Sequence, residues 1–388
     1  MKRFFGILSL ILLLAIGITL YLQYPRLKVL NGYAARTACS CAFVANRKES
    51  QILSEDLGMS PFQIASVHID SIHKLATSSV MGLAKKTAIY KPGIGCILLK
   101  GEDNHHVNFP SISKSDINNY QFVKSTREFP QNIKKEIIQL VFDENREIVE
   151  KKTRALLVLY NDSLLIEEYA KGINADTRLL GWSMTKSVIN ALTGILVKQG
   201  KIEVKDKNLF GEWKDERKNI SLESMLRMTS GIKWNEDYAT ESEATNMLFD
   251  SENIADFAKN HVLDRPVFNY SSGSTNMVTQ VLRNKFSSLN DFLLFPHTQL
   301  FNKLSMESAI IETDESGLFI GSSYMYAHAR DWMRFGRLYL KNGNWQGEQI
   351  LPEDWVDFTT RETPESEGRY GAHFWLNKRG IAYPDAPH

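Results

Sequence analysis

Apolar positions fall along this chain in a few distinct rhythms. Residues 4–22 form a 19-residue run without a single charge, preceded by Lys2 and Arg3. After residue 26 the pattern becomes mixed: a short apolar run at 41–45, helix-like spacing over 61–75, then 87–99 broken by Pro92, Gly93 and Gly95. The stretch 103–131 is rich in Asn, Ser, Asp and Pro, the chemistry of a surface connector, and places a boundary near 135–150. Residues 155–160 and 164–169 flank Asn161-Asp162-Ser163, which predicts a β-hairpin. Residues 183–198 are apolar on nearly every face, which predicts a buried helix, and Gly200 ends it. Further helices are expected at 222–228, 254–259, 275–284, 325–340 and 353–359, with 373–376 strand-like. Strands first, a helical middle and strands last predict an α+β fold, an antiparallel sheet flanked by helices whose two chain ends pair, with a helical domain inserted between them.

The first run is an address. Its length is near the ~20 residues that an apolar helix needs to cross a bilayer, and it ends in Tyr21, Leu22, Gln23, Tyr24 and Pro25 with no small-x-small cleavage site. We therefore read residues 1–25 as an uncleaved signal anchor, 26–145 as a strand and loop region with its connector, and 146–388 as the main globular domain. Lys2 and Arg3 on one side face Arg26 and Lys28 on the other, so charge does not fix the orientation. Export would put the body outside the cytoplasm.

Composition narrows the function classes. The 388 residues are 43% hydrophobic and 23% charged, too apolar for disorder. With 46 Lys and Arg against 45 Asp and Glu, there is no basic excess for a nucleic-acid partner. Cys39, Cys41 and Cys96 allow at most one disulfide, expected from Cys39 or Cys41 to Cys96 in an oxidising compartment. The nine histidines include no His-Glu-x-x-His, so neither a metal nor another cofactor is expected.

The candidate chemistry starts at Ser183-Met184-Thr185-Lys186. Ser-x-x-Lys recurs at Ser71 and Lys74, Ser111 and Lys114, and Ser230 and Lys233, so the pattern alone discriminates nothing. Only Ser183 opens a helix that is apolar all round. Residues i and i+3 there lie on one face, ~5–6 Å apart at Cβ, so the hydroxyl and the amine can meet. A lysine buried one turn into such a helix is costly to keep charged, which favours a neutral amine able to take a proton from serine. The bland alternative is a capping Ser183 with Lys186 reaching solvent. Phe268-Asn269-Tyr270-Ser271-Ser272-Gly273 reads either as a turn and helix cap or as a phenol and a hydroxyl, Tyr270 and Ser272, set beside the Ser-Lys pair.

Taken together, Trp182-Ser183-Met184-Thr185-Lys186-Ser187, Leu226-Arg227-Met228-Thr229-Ser230-Gly231, Tyr270-Ser271-Ser272-Gly273 and Ala329-Arg330-Asp331-Trp332-Met333-Arg334-Phe335-Gly336 resemble, in order, the serine β-lactamase and penicillin-binding superfamily. The likeness is strongest to its class C-related esterases and 6-aminohexanoate-dimer hydrolases, over residues 153–383. It implies a β-lactamase/transpeptidase-like fold and a small amide or ester substrate. It also implies a Ser183 nucleophile, Lys186 and Tyr270 as a coupled base, and Ser272 as a substrate-side hydrogen-bond partner. One oxyanion donor would be the Ser183 N–H, the other an edge strand carrying a third motif.

That third motif is not where the resemblance puts it. There is no Lys-Thr-Gly or His-x-Gly; Lys341-Asn342-Gly343 falls after a helix, and Lys378-Arg379-Gly380 reads as the turn leaving the 373–376 strand. The expectation is a fold without its last strands, and the alternative to a hydrolase is a catalytically silent relative that binds cell-wall peptide or a partner through the same cleft.

Overall fold

The computed structural model describes residues 2–101, 120, 122–124, 130–143 and 151–380. The expectations for the connector, for the boundary at 144–150 and for any strand beyond 380 lie largely or wholly outside these residues.

The chain opens with one 38-residue helix, Lys2–Cys39, which carries Pro25 inside it and continues as a wider π-helical turn, Ser40–Val44. Its two halves meet different surroundings. Leu10, Ile11, Leu12, Leu13, Leu14 and Ile18 are exposed, whereas Leu30, Ala34, Ala35, Ala38 and Cys39 are buried. The exposed half makes this helix, by length and composition, able to cross a membrane. The buried half is lined with alanine and glycine so that it can lie close to its neighbours: a Cβ on Gly32 would stand 2.5 Å from the Phe249 carbonyl oxygen. The apolar run at 41–45 is therefore the end of a helix, not a strand.

That helix packs on an antiparallel meander of β1 (Ser66–Asp70), β2 (Leu75–Val80), β3 (Leu83–Lys91) and β4 (Gly95–Leu99). The helical reading of 61–75 is corrected here. Ser66–Asp70 pairs with Leu75–Ser79 in register, and the exposed positions Ser66 and His68 alternate with half-buried Val67 and Ile69. A disulfide joins Cys39 to Cys96 across 57 residues, and Cys41 remains a buried thiol.

A second sheet holds the predicted hairpin, β6 (Ala155–Tyr160) and β7 (Ser163–Tyr169), with β5 (Val123–Lys124) parallel to β7. Asn161 and Asp162 both have positive φ, 45° and 61°, as a two-residue type I′ turn requires. Among the described residues this hairpin pairs with β5 and not with a strand from the other end of the chain. A third, small sheet orders β8 (Leu179–Leu180), β10 (Met325–Ala327) and β9 (Ile310–Ile311). The expected helix 325–340 thus begins only at Ala329, after a buried strand. His373 adopts φ 58°, which interrupts the expected strand at 373–376 and leaves an isolated Tyr370–Trp375 bridge.

Helix Met184–Lys198 is the axis of the body, and its interior faces are closed by a polar hub. Asn190 Oδ1 accepts from Tyr339 OH (2.6 Å), Trp355 Nε1 (2.8 Å) and Thr359 Oγ1 (3.2 Å), while its Nδ2 donates to the Ala372 carbonyl (2.8 Å). Every polar atom of a buried amide is thereby used, which avoids the ~1–3 kcal/mol cost of each orphaned group. Helix Ala329–Leu340 is bolted to the hairpin by Arg330 on Glu167 (2.7 and 2.6 Å) and Arg337 on Asp162 (2.7 and 3.0 Å).

The hydrophobic core runs without a break from the N-terminal helix and β1–β4 into this body. At that junction Glu312 is buried, its Oε1 accepting from Ser40 Oγ (2.7 Å) and the Cys96 N–H (2.8 Å). Burial raises its carboxyl to about 7, against the opposing pull of the Arg36 charge and these donors. An unfolded chain ionises this group near its ordinary value of about 4.3. Between that value and pH 7 the folded state holds more protons, so this part of the stability falls as pH rises through the window. We expect the stability of wild type relative to Glu312→Gln to fall from pH 5 to pH 8 in thermal unfolding. A relative stability that stays flat or rises with pH contradicts the assignment.

Candidate active site

Ser183 caps helix Met184–Lys198 without using its side chain for the cap. The turn before it is tight. Trp182 sits at φ 45°, a left-handed conformation that costs a non-glycine residue about 1 kcal/mol or more, and a Cβ on Gly181 would fall 2.2 Å from the Trp332 ring. The Gly181 N–H donates to the Met325 carbonyl (2.8 Å), which ties this turn to β10. The strain is held in place from both sides, and the Ser183 hydroxyl is what it presents.

Lys186 lies one helical turn on and is only 1% exposed. The reading in which it reaches solvent is thereby excluded. Its Nζ has three oxygen partners: Ser183 Oγ at 3.1 Å, Ser272 Oγ at 3.1 Å and the Ser322 carbonyl at 2.9 Å. Tyr270 meets it with its ring face, 4.9 Å from the centroid, rather than with its hydroxyl. The four residues expected from sequence, Ser183, Lys186, Tyr270 and Ser272, are brought together.

The second and fourth motifs hold this geometry from outside. Met228, at φ 61°, offers its carbonyl to the Asn269 N–H (2.8 Å), and Ser230 Oγ meets Ser274 Oγ (3.3 Å), so the Leu226–Gly231 stretch anchors the loop that bears Tyr270. Arg227 donates to the Phe358 and Arg361 carbonyls (both 2.8 Å). Asp331 accepts from Ser308 and from Arg334 (2.6 Å) inside the core.

Sequence reasoning missed a carboxylate and a phenol. Glu236 Oε1 takes a short hydrogen bond from Ser272 Oγ, and its Oε2 accepts from the Ser272 N–H (2.8 Å) and Trp234 Nε1 (2.6 Å). Tyr238 OH donates to Glu236 Oε1 (2.7 Å) and lies 3.1 Å from Ser272 Oγ. The Tyr238 side chain is about half exposed but its hydroxyl end is enclosed, and that enclosure, then the Glu236 charge, raise the phenol, so it acts as a donor. Glu-x-Tyr on an extended segment puts both groups on one side, a weak signal; that the segment reaches a serine 36 positions on is a tertiary fact. Ser272 itself is fully buried and faces Lys186 and Glu236.

Aromatic rings wall the entrance. Trp375 stacks on Tyr270 (5.1 Å, 32° between planes) and packs edge-on to Tyr370 (5.1 Å), while Trp182 meets Tyr324 edge-on (5.7 Å). Trp182, Tyr238 and Trp375 are exposed. His373 lies behind the site, fully buried, its Nε2 3.1 Å from Thr275 Oγ1 and its carbonyl accepting from Ser187 Oγ (2.8 Å). Burial, then the Lys186 charge, lower its imidazole to about 3. An unfolded histidine protonates near 6.5, so this term supports folding above that pH and is lost on acidification. We predict that the His373 ring resonances show no protonation shift from pH 9 down to pH 5; a midpoint near 6.5 would contradict the buried, neutral assignment.

Residues 146–385, more than half of the chain, match the sequence model of a family described as Beta-lactamase. The 6-aminohexanoate-dimer hydrolase of Paenarthrobacter ureafaciens is 27% identical over 272 residues, which cover 61% of this chain and 68% of that one. A Bacillus anthracis protein proposed to be a 6-aminohexanoate-dimer hydrolase superposes with a TM-score of 0.53 at 22% identity, over 62% of this chain and 67% of its own. That likeness is one of fold.

Proposed function

The chain belongs to the serine β-lactamase and penicillin-binding superfamily, and from that premise we propose that it is a serine hydrolase of small amides or esters acting through an acyl-enzyme on Ser183. The observation that carries this reading is the 3.1 Å contact between Ser183 Oγ and a Lys186 amine almost wholly removed from water. A serine hydroxyl is a poor nucleophile until a neighbouring base takes its proton. In this proposal the Ser183 oxygen attacks the carbonyl carbon as its proton passes to Lys186, and the Ser183 N–H receives the developing oxyanion. Collapse of the tetrahedral intermediate breaks the bond to the leaving nitrogen or oxygen. Tyr270, rotating its hydroxyl from the resting ring-face contact toward Lys186, gives its phenolic proton to that leaving atom and recovers one from Lys186. Water then attacks the acyl carbonyl as its proton passes to Lys186, and the ester bond breaks as that proton returns to Ser183 Oγ, releasing the acid.

Ser272 serves Lys186 rather than the substrate in this reading, because its hydroxyl is buried between Lys186 and Glu236. The Glu236 carboxylate supplies the negative charge that the ammonium formed by this proton transfer needs nearby. A fluorophosphonate probe should label Ser183 in the full-length chain in detergent. Ser183→Ala should abolish labelling, and Lys186→Ala should slow hydrolysis of p-nitrophenyl esters by about 10³-fold or more, the scale at which linked catalytic groups fail. Equal labelling of wild type and Ser183→Ala would overturn the proposal.

We further propose that the exposed half of helix Lys2–Cys39 anchors the protein in a membrane with the catalytic body on the extracytoplasmic side. The Cys39–Cys96 disulfide supports an oxidising compartment. The protein should stay with membranes through an alkaline carbonate wash, and protease added to sealed spheroplasts should digest the catalytic body. Release by carbonate, or full protection, would count against this placement.

A further inference from the structure

The family match begins at residue 146, yet a charged side chain from the N-terminal helix reaches the support of the catalytic turn. Arg36 is 1% exposed, and its guanidinium lies 4.9 Å over the ring of Tyr324. Its Nη2 donates to the Thr313 carbonyl (3.3 Å), while Nε and Nη1 find no hydrogen-bond partner. The Tyr324 hydroxyl, Thr313 Oγ1 and Glu312 Oε2 are also buried without partners. Burying a guanidinium with so few hydrogen bonds costs several kcal/mol. What it gains is the face of one aromatic ring.

The ring belongs to the segment that carries the catalytic turn. Ser322 gives its carbonyl to Lys186 Nζ (2.9 Å), and Tyr324 holds Trp182 edge-on (5.7 Å). The Met325 carbonyl accepts from the Gly181 N–H (2.8 Å), and the Met325 N–H donates to Thr185 Oγ1 (3.2 Å). Four contacts therefore pass from Ser322–Met325 to residues 181–186. On its other side this segment is held by Arg36 on the Tyr324 ring and by the Glu312 N–H on the Tyr324 carbonyl (2.8 Å).

We infer that Arg36 is a positioning residue for the Ser183–Lys186 pair, supplied by the N-terminal unit through Tyr324. The inference rests on Ser183 being the nucleophile. Arg36 touches no substrate; it fixes Tyr324, which fixes the strained Trp182 and the register of the Ser322 carbonyl. A loose support costs turnover more than binding, since a displacement of about 1 Å at reacting groups can cost ~100-fold in rate.

The test compares full-length wild type, Arg36→Met, Arg36→Lys and Thr313→Val in detergent, by fluorophosphonate labelling of Ser183 and by kcat and KM on a p-nitrophenyl ester. Arg36→Met keeps the side chain's bulk and removes its charge and plane; kcat and labelling rate should fall about tenfold with KM within twofold. Arg36→Lys, which keeps a cation over the ring, should recover most of kcat, and Thr313→Val, which removes another partnerless group of the same cluster, should leave kcat at the wild-type value. Should Arg36→Met fail to fold, Tyr324→Leu removes the platform instead and should give the same loss. Unchanged kcat in Arg36→Met or Tyr324→Leu, an equal loss in Thr313→Val, or a loss carried by KM that Arg36→Lys does not recover would each overturn the inference. Wild type that is labelled while Arg36→Met is labelled at the same rate overturns this inference alone; wild type that is not labelled at all overturns the nucleophile assignment and this inference with it.

Discussion

A lysine amine shut away from water one turn into a helix governs this structure. Lys186 can be buried only if oxygens replace the water it has lost, and the three that do so come from three separate places: the turn before its own helix, the start of helix Ser272–Arg283, and the stretch before β10. Each of these has to be delivered to within about 3 Å by its own local structure. Gly181 and the left-handed Trp182 set the first. For the second, Gly273 lets the helix start press against Trp234, where a Cβ would fall 2.6 Å from the ring. Gly321 allows the third, since a Cβ there would stand 2.3 Å from Thr279 Oγ1. The small residues around the site are thus consequences of placing one buried amine.

The charges behind the site follow from the same constraint. His373, fully enclosed behind the site, is held neutral first by that burial and then by the Lys186 charge. An anion is favoured, and Glu236 stands one hydroxyl away, joined to Lys186 through Ser272. Glu236 takes hydrogen bonds from four groups, Ser272 Oγ and N–H, Trp234 and Tyr238. Ser272 is then the switch point between a cation and an anion, able to donate to one while accepting from the other.

Much of this was legible in the sequence, and what was not has physical reasons. The hairpin at Asn161-Asp162, the buried helix after Ser183 and the helix at 254–259 are local: turn chemistry and apolar periodicity specify them without help from the rest of the chain. The first strand at 66–70 was misread because Val67, Ile69 and their neighbours also satisfy a helical spacing over a short window, and only pairing with β2 decides between the two. The continuation of the first helix through Pro25 was missed because an apolar run and an amphipathic one abut there; the change of environment, not of backbone, falls at that proline. Met325–Ala327 was merged with the helix behind it because a buried strand and a buried helix look alike in composition. Glu236, Tyr238 and Ser322 were invisible because their importance lies in what they meet, 34 to 136 positions away.

The recurrence of Ser-x-x-Lys shows why environment and not pattern marks the chemistry. At Ser71 and Lys74 the pair lies in the turn between β1 and β2; Lys74 takes φ 54° and its amine rests over the Phe43 ring. At Ser230 and Lys233 the chain is extended past Gly231, so the serine turns inward to Ser274 while the lysine is exposed. Ser111 and Lys114 lie outside the described residues. A helical i, i+3 geometry is needed to bring hydroxyl and amine together, and an apolar surround is needed to keep the amine from turning out to water. Of the three described matches only Ser183 and Lys186 meet both conditions, because a helix begins at that serine and its next turns are apolar on every side. Packing, by denying Lys186 its water, is what sets this tetrapeptide apart from the other matches.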